Sequence, residues 1–463
     1  MSKKSKTLII VLGVLLLLAG GYYGATIREK RKAAPDSSAY TPPPRLGNLN
    51  SSELVKIEGP GITIEKNGES WELTYLPEGI PPGGIELDAG LIQYLTYSLA
   101  TIWAESIVDE APENLSVYGL DNPSSRAAVT DSAGQKAAYI LGDITPTRTA
   151  YYLMEEGDLK VYAVATYVAD YMKNFLDSIR KRSLFPAIEL SMMTRLRIES
   201  GETKMLFEPR DDSQSLLIAP FSYFVLSHYR NPRGADSEAL NKLIVPFSNL
   251  EIADFIDDAP SSLIPYGLDK PVMVSLETQL GSLDLLIGNE FNGKRYAKLA
   301  AAPGVFTLNG MAGIINAKPF TLLDKFALII NIDLVSRLSI TGGEKDLTAD
   351  FRGTGDEGVY FLNGKKTVLK SFRSFYQAVI GLLVDAEIPA GTGSALNPGA
   401  PDSGNITIEY QLNTAQGERA SITLIPYNRD FYALLQDGAT EFLISRSQVR
   451  KIYEAADAME YEE

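Results

Sequence analysis

Beyond residue 53 the chain is dominated by short runs that alternate apolar and polar residues. Val55-Lys56-Ile57-Glu58, Leu196-Arg197-Ile198-Glu199 and Leu338-Ser339-Ile340-Thr341 each open such a run. Period two is the signature of a half-buried strand. The three isoleucines recur at an almost constant interval, from Ile57 to Ile198 and then from Ile198 to Ile340. A longer echo relates Phe185–Gly201 to Phe326–Gly342, so the body reads as three domain-sized repeats over 53–187, 188–329 and 330–463.

In the first repeat, Ile62-Thr63-Ile64 and Trp71–Thr74 alternate around Asn67-Gly68, a strong hairpin turn because both residues tolerate positive φ. Asp88 can cap a helix over Ala89–Glu105. Strands at 126–130, 137–141, 150–154 and 160–164 and a helix at 166–179 complete the unit. The second repeat has a helix near 237–245 and strands at 272–278, 282–287, 296–299 and 305–308. The third has a helix at 370–384, strands near 406–411, 420–425, 431–435 and 441–444, and a last helix from Ser447. Strands and helices in blocks, without βαβ alternation, predict an α+β fold of mostly antiparallel sheet with packed helices.

The first two repeats share a sixteen-residue sentence. Val108–Pro123 reads VDEAPENLSVYGLDNP and Ile256–Pro271 reads IDDAPSSLIPYGLDKP, identical at nine positions without a gap. Gly119 and Gly267 suit the left-handed end of a helical turn, and Leu120 and Leu268 can pack back on it. Asp121 and Asp269 can bond nearby backbone, and Pro123 and Pro271 start a strand. Tyr118 and Tyr266 are expected to bury their rings and anchor their hydroxyls to local backbone. Each repeated position thus has a structural role. The third repeat lacks the sentence and carries the Gly-, Pro- and Ser-rich stretch 389–405 in its place.

The N-terminus departs from this pattern. Thr7–Thr26 is uncharged over a length that spans roughly 30 Å as a helix, the hydrocarbon thickness of a bilayer. It reads as a transmembrane anchor (7–26) behind a cytoplasmic tail (1–6), with a cleaved signal peptide as the alternative. Residues 27–52, basic and then rich in proline, read as a tether.

Composition narrows the chemistry. Of 463 residues, 45% are hydrophobic and 22% charged, which is globular, and the net charge is −15. The stretch from Met1 to Lys32 holds seven bases and one acid, so the rest is more acidic still and repels nucleic acid. With no cysteine there is no disulfide, thiolate ligand or thiol nucleophile, and the single histidine, His228, reads as packed in an aromatic stretch. Gly353–Gly358 matches GxGxxG but lies between strand-like runs, which makes it a hairpin loop rather than a dinucleotide site. Asp254, Asp257 and Asp258 lack calcium-loop spacing and read as an acidic turn. P-loop, GxSxG and HExxH patterns are absent. No catalytic residue, metal ligand or cofactor is expected.

The opening Ile57–Leu73 (I-x-G-x-x-I-x-I-x-K-x-G-x-x-W-x-L), Tyr118–Pro123, Leu141-Gly142-Asp143 and Thr145-Pro146 together resemble the domain of unknown function 4340 family. The resemblance is most specific over residues 54–310. It implies a bacterial envelope protein, often encoded beside a gliding-type ABC transporter, and no established activity. The expectation is therefore a membrane-anchored, extracytoplasmic, non-enzymatic accessory protein whose partners are the membrane and ABC-transporter subunits. A glycan- or peptide-binding module and a hydrolase using unmarked carboxylates are the alternatives.

Overall fold

The computed structural model describes residues 42–80, 85–201, 203–210, 222–354, 357–389, 404–413 and 418–462. Strands β1 (Arg45–Leu46), β2 (Leu54–Gly59), β3 (Ile62–Asn67) and β4 (Ser70–Tyr75) open the first repeat. Helix α1 (Ala89–Ala100) crosses to β5 (Ile102–Asp109), followed by β6 (Ser125–Asp131), β7 (Lys136–Ile144), β8 (Ala150–Glu155) and β9 (Val161–Ala165). Helices α2 (Thr166–Lys173) and α3 (Phe175–Ile179) close it. The sheet order is β1-β5-β9-β8-β7-β6-β2-β3-β4, every pair antiparallel.

The second repeat holds β10 (Met193–Ser200), β11 (Thr203–Pro209), β12 (Tyr223–Val225) and β13 (Arg233–Gly234) before α4 (Ser237–Ile244). Then come β14 (Asp254–Asp257), β15 (Val272–Thr278), β16 (Gly281–Phe291), β17 (Lys294–Leu299), β18 (Val305–Leu308) and α5 (Ala312–Ile315). The third holds β19 (Val335–Thr341), β20 (Leu347–Arg352), β21 (Val359–Leu362), β22 (Lys365–Lys366) and α6 (Leu369–Ile380). It ends with β23 (Ala386–Glu387), β24 (Ile406–Leu412), β25 (Arg419–Pro426), β26 (Phe431–Gln436), β27 (Ala439–Ser445) and α7 (Arg446–Asp457). Their sheets run β13-β12-β11-β10-β15-β16-β17-β18-β14 and β22-β21-β20-β19-β24-β25-β26-β27-β23. Read from the other edge, each repeats the order of the eight strands from β5 to β4; β1 has no strand counterpart there, and β13 and β22 are added at the opposite edge. One topology is thus built three times, and the third repeat keeps it without the YGLD sentence.

The expected architecture needs correction. The sequence pattern predicts an α+β fold led by a transmembrane helix, but the described chain is three mostly antiparallel sheets with few helices. No helix among the described residues is long and apolar enough to cross a membrane, and residues 7–26 lie outside them. Two of the expected helices break early. The helix expected over 89–105 stops at Ala100 because Thr101 is already extended; Ile102 and Ala104 are then buried on alternate positions of β5. The helix expected over 166–179 is split at Asn174. Residues 42–52, read as the end of the tether, are folded: β1 pairs with β5 and Leu46 is buried. Most of the 389–405 stretch lies outside the described residues.

The described residues form two compact units, one of residues up to 77 with 87–180, the other of 78–86 with 181 onward. The second and third repeats therefore share a unit, and one continuous core runs from Phe185 to Met459. Their joint is polar and aromatic. Tyr229 donates its hydroxyl to Glu387 at 2.6 Å, and the Arg230 N–H reaches Glu441 at 2.8 Å. Phe442 packs against Tyr229, ring centroids 5.0 Å apart, and under the Arg233 guanidinium at 4.8 Å. His228 lies edge-on to Tyr229 with Nε2 3.9 Å from Glu387, but it is exposed rather than packed as the sequence suggests.

Candidate functional site

The YGLD sentence folds the same way twice. Leu115–Tyr118 is a single 3-10 turn, and Gly119 caps it at φ 67°. The Gly119 N–H donates to Ser116 O and the Leu120 N–H to Leu115 O, which satisfies the carbonyls at the turn's end. In the second copy the turn is Ile264–Tyr266, with Gly267 at φ 68° and the Leu268 N–H on Leu263 O. Leu120 and Leu268 are buried, and Asp121 Oδ1 accepts from the Asn122 N–H at 2.9 Å. Pro123 and Pro271 lead into β6 and β15, and Asp269 is exposed.

The tyrosine hydroxyls do not go to backbone, as sequence suggested. Tyr118 donates to Asp109 at 2.8 Å, and Tyr266 to Asp257 at 3.0 Å. Each aspartate also caps its own acidic turn, accepting from the Ala111 or Ala259 N–H at 3.0 Å. This explains why an aspartate stands nine positions before each tyrosine. A backbone carbonyl loses because the 3-10 turn carries the phenol back over the end of β5 or β14, where the carboxylate, a stronger acceptor, waits. Each ring meets a second tyrosine edge-on: Tyr152 at 5.0 Å and Tyr296 at 5.1 Å. The Asp109 bond pushes the Tyr118 phenol up, and burial followed by the Asp257 bond does so for Tyr266. A phenol shifted upward keeps its proton at neutral pH, so each hydroxyl acts as a hydrogen-bond donor and not as a base.

A further glycine completes the motif. Gly142 of the Leu141-Gly142-Asp143 sequence lies where β7 bulges against β8, directly beneath the turn. A Cβ there would sit 2.1 Å from Tyr118 O. Gly288 holds the same place in β16, 2.1 Å from Tyr266 O. The turn, the bulge and the Tyr–Asp pair are one packing device.

The acidic turn is likewise committed. Asp254 accepts from Lys294 Nζ and Thr307 Oγ1, each at 2.7 Å, and the Lys294 bond holds its carboxyl below the usual range. No cluster of three or more His, Asp or Glu side chains arranged for a metal ion occurs among the described residues.

Concave surface lies elsewhere. In the third repeat, residues 329–332 and the α6 residues Arg373, Tyr376, Gln377 and Ile380 border an open, mostly apolar groove of about 540 Å³. In the second repeat, residues 188–191 and Asn241, Ile244, Val245 and Ser248 border one of about 390 Å³. The two linings correspond position by position. The loop residues are offset by 141 (188 to 329) and all four helix-side residues by 132 (241 to 373), the offset that also relates the N-caps Asp236 and Val368. Tyr376 forms the floor, its buried hydroxyl donating to Ile330 O at 2.9 Å. The first repeat closes the equivalent space with its own backbone. The Leu49 N–H donates to Ala100 O, the helix end, at 2.9 Å, and Tyr139 donates to Leu99 O at 2.7 Å. Chain length accounts for the difference. The segment that leads from the bridge with the chain after the helix to the repeat isoleucine runs from Arg45 to Ile57 in the first repeat. It runs from Ser183 to Ile198 in the second and from Phe326 to Ile340 in the third, and both of these are longer, which leaves slack.

The family model described as "Domain of unknown function (DUF4340)" matches the chain over residues 80–271 and 227–374. The chain belongs to the DUF4340 family. Its two matches begin at 80 and at 227, corresponding points before α1 and α4, so the DUF4340 unit runs from one crossover helix into the next repeat. No curated protein and no solved structure matches the chain. Sequence reasoning found the DUF4340 turn but missed the grooves. Their signal was present in the Phe185–Gly201 and Phe326–Gly342 correspondence, yet a groove depends on helix packing that an alternating pattern does not encode.

Proposed function

We propose that the protein is a non-enzymatic accessory protein on the outer side of the cell membrane that binds partner proteins, the subunits of a gliding-type ABC transporter. The observation that carries this reading is the recurrence of one open, largely apolar groove at equivalent positions of two repeats. Apolar concavities with few polar groups are where proteins take ligands. The buried joint between those repeats, with Tyr229, Phe442 and Arg233 interlocked, supports a scaffold that presents both grooves in fixed relation. The choice of partner rests on the genomic habit that the family resemblance implies. The test is affinity purification of the tagged full chain from detergent-solubilised membranes. Recovery of the transporter's membrane subunits is expected; intact bait without them overturns the reading. Protease added to intact protoplasts should digest the body, and full protection would refute the outer location.

A further inference from the structure

We infer that the outer edge of β4 takes up an extended, basic segment of a partner protein as a further antiparallel strand, with a lysine or arginine opposite Trp71. This edge belongs to the first repeat and to neither groove, so it stands whether or not a transporter is the partner. β4 ends the first sheet, whereas its counterparts β12 and β21 are each covered by a short strand, β13 and β22. The register fixes the correspondence. Ile57, Ile198 and Ile340 face Ile64, Met205 and Leu347. Two residues further on, Lys66 faces Trp71, Phe207 faces Val225 and Ala349 faces Leu362. Trp71, Val225 and Leu362 therefore hold one position. The covering strands put a base opposite it each time, Arg233 on Val225 and Lys365 on Leu362.

β4 is open to the same pairing. In the covered repeats the Ala235 N–H donates to Tyr223 O and the Thr367 N–H to Tyr360 O, both at 2.9 Å, two residues before that position. Antiparallel bonds fall on every second residue of an edge, so Trp71 and Leu73 direct their N–H and C=O outward. Among the described residues nothing except β3 bonds to the β4 backbone. Tyr75 is followed by Pro77, Pro81 and Pro82, which lack the N–H a strand donates. That stretch is unsuited to the hairpin return that Asn363-Gly364 makes before β22.

Charge selects the occupant. Glu72 is exposed and stands opposite Glu65, and like charges face to face on a sheet repel. Glu65 has Lys56 at 3.4 Å; among the described residues Glu72 has only the Asn67 amide, at 3.0 Å, and no cation. A base opposite Glu72 relieves that repulsion. Arg233 and Lys365 lie over the rings of Phe442 and Tyr461 at 4.8 and 5.6 Å, and Trp71 offers an indole to the base opposite it. From its N-terminus the segment is thus apolar opposite Leu73, basic opposite Glu72 and basic opposite Trp71. Main-chain bonds supply affinity and these three side chains supply selection. A second copy does not qualify, because Ser70–Tyr75 contains no base and the chain carries a net charge of −15.

The experiment is panning of a phage-displayed library of random dodecamer peptides on the purified full-length chain, then fluorescence anisotropy with the enriched peptides. The order apolar-base-base is expected to dominate. Affinity should fall about tenfold or more with Glu72→Lys, whose fold is verified by far-UV circular dichroism. It should fall equally when the peptide is N-methylated at its second base, which removes the added strand's donor without touching the protein. Bound peptide should slow hydrogen exchange over residues 70–75. Enrichment without that order overturns the proposal, and so does unchanged exchange over 70–75. Equal binding of a scrambled peptide of the same charge also overturns it, because attraction by net charge alone is then sufficient. A dimer in sedimentation with 70–75 already protected puts a second copy on the edge instead. The transporter purification reads neither β4 nor these peptides, so the two readings fail separately.

Discussion

Adding one methyl group at Gly142 should unfold the first repeat at markedly lower denaturant. The backbone there is an ordinary strand, so Gly142→Ala carries no penalty for a left-handed conformation. The cost comes from close approach alone. The new Cβ lies 2.1 Å from Tyr118 O and 3.1 Å from Leu120 Cγ, whereas ordinary contact begins near 3.4 Å. The turn must lift by about 1.3 Å, and Leu120, only 3% exposed, loses part of its seat. Overpacking of this kind costs about 1–3 kcal/mol. With a urea m-value of about 2 kcal/mol per M, a cost near 2 kcal/mol moves the midpoint by about 1 M. The assay is unusually local, because the two tryptophans, Trp71 and Trp103, both lie in the first repeat, on β4 and β5. Gly134→Ala is the control. That glycine has φ 80° and nothing within 4 Å, so it should cost only the left-handed term of about 1 kcal/mol, near 0.5 M. If tryptophan fluorescence shows Gly142→Ala shifting the midpoint no more than Gly134→Ala, the turn does not press on the bulge and the packing account is wrong.

Other parts of the molecule give equally direct expectations. Lys325 lies over the Phe320 ring, its ammonium 3.1 Å from the centroid, and burial lowers its pKa from 10.5 to about 8. Because the unfolded chain keeps that proton to higher pH, stability should rise between about pH 8 and 10.5; Lys325→Met should abolish the rise in calorimetry and stabilise the protein at pH 7. Phe372 is fully buried and stacks on Tyr360 at 4.5 Å, so Phe372→Ala should cost about 3–5 kcal/mol, read by far-UV circular dichroism in urea. A loss below about 1 kcal/mol would mean that the aromatic cluster is not packed as described. Glu58 accepts from Lys136 at 3.0 Å, which depresses its carboxyl pKa. Its stabilisation is therefore present above the ordinary carboxylate range and lost as pH falls through the folded value; Glu58→Gln should flatten the acid limb of the tryptophan-monitored stability curve, and an unchanged limb would exclude the pair.

The duplicated sentence shows how much of a fold local chemistry writes. Gly119 and Gly267 end their turns in the left-handed region because no other residue enters it as cheaply, and Leu120 and Leu268 fold back as any hydrophobe after such a cap would. Those roles depend on near neighbours in the chain, so they were legible. The Tyr118–Asp109 bond spans a longer stretch and a change of chain direction. It left a trace in the sequence, a spacing kept in both copies, but not its meaning. Boundaries failed where local preferences compete. Residues 101–105 follow a helix pattern smoothly, yet pairing of β5 with β1 at Ile102 and Trp103 and with β9 from Ala104 claims all but Thr101 for the sheet.

By itself, then, the sequence determined the repeat, its period, most of its strands and its family, because alternation and turn chemistry are properties of a few adjacent residues. Only tertiary structure decided that the second and third repeats share one core and that helices are sparse crossovers. The same is true of the groove, closed in the first repeat and open in the next two. A slightly longer segment between a bridge and a strand looks like ordinary loop variation in a sequence. In the fold it decides whether the chain reaches the helix end at Ala100 or leaves Ile380 uncovered, because the distance to be spanned is set by a sheet and a crossover helix that recur in every repeat.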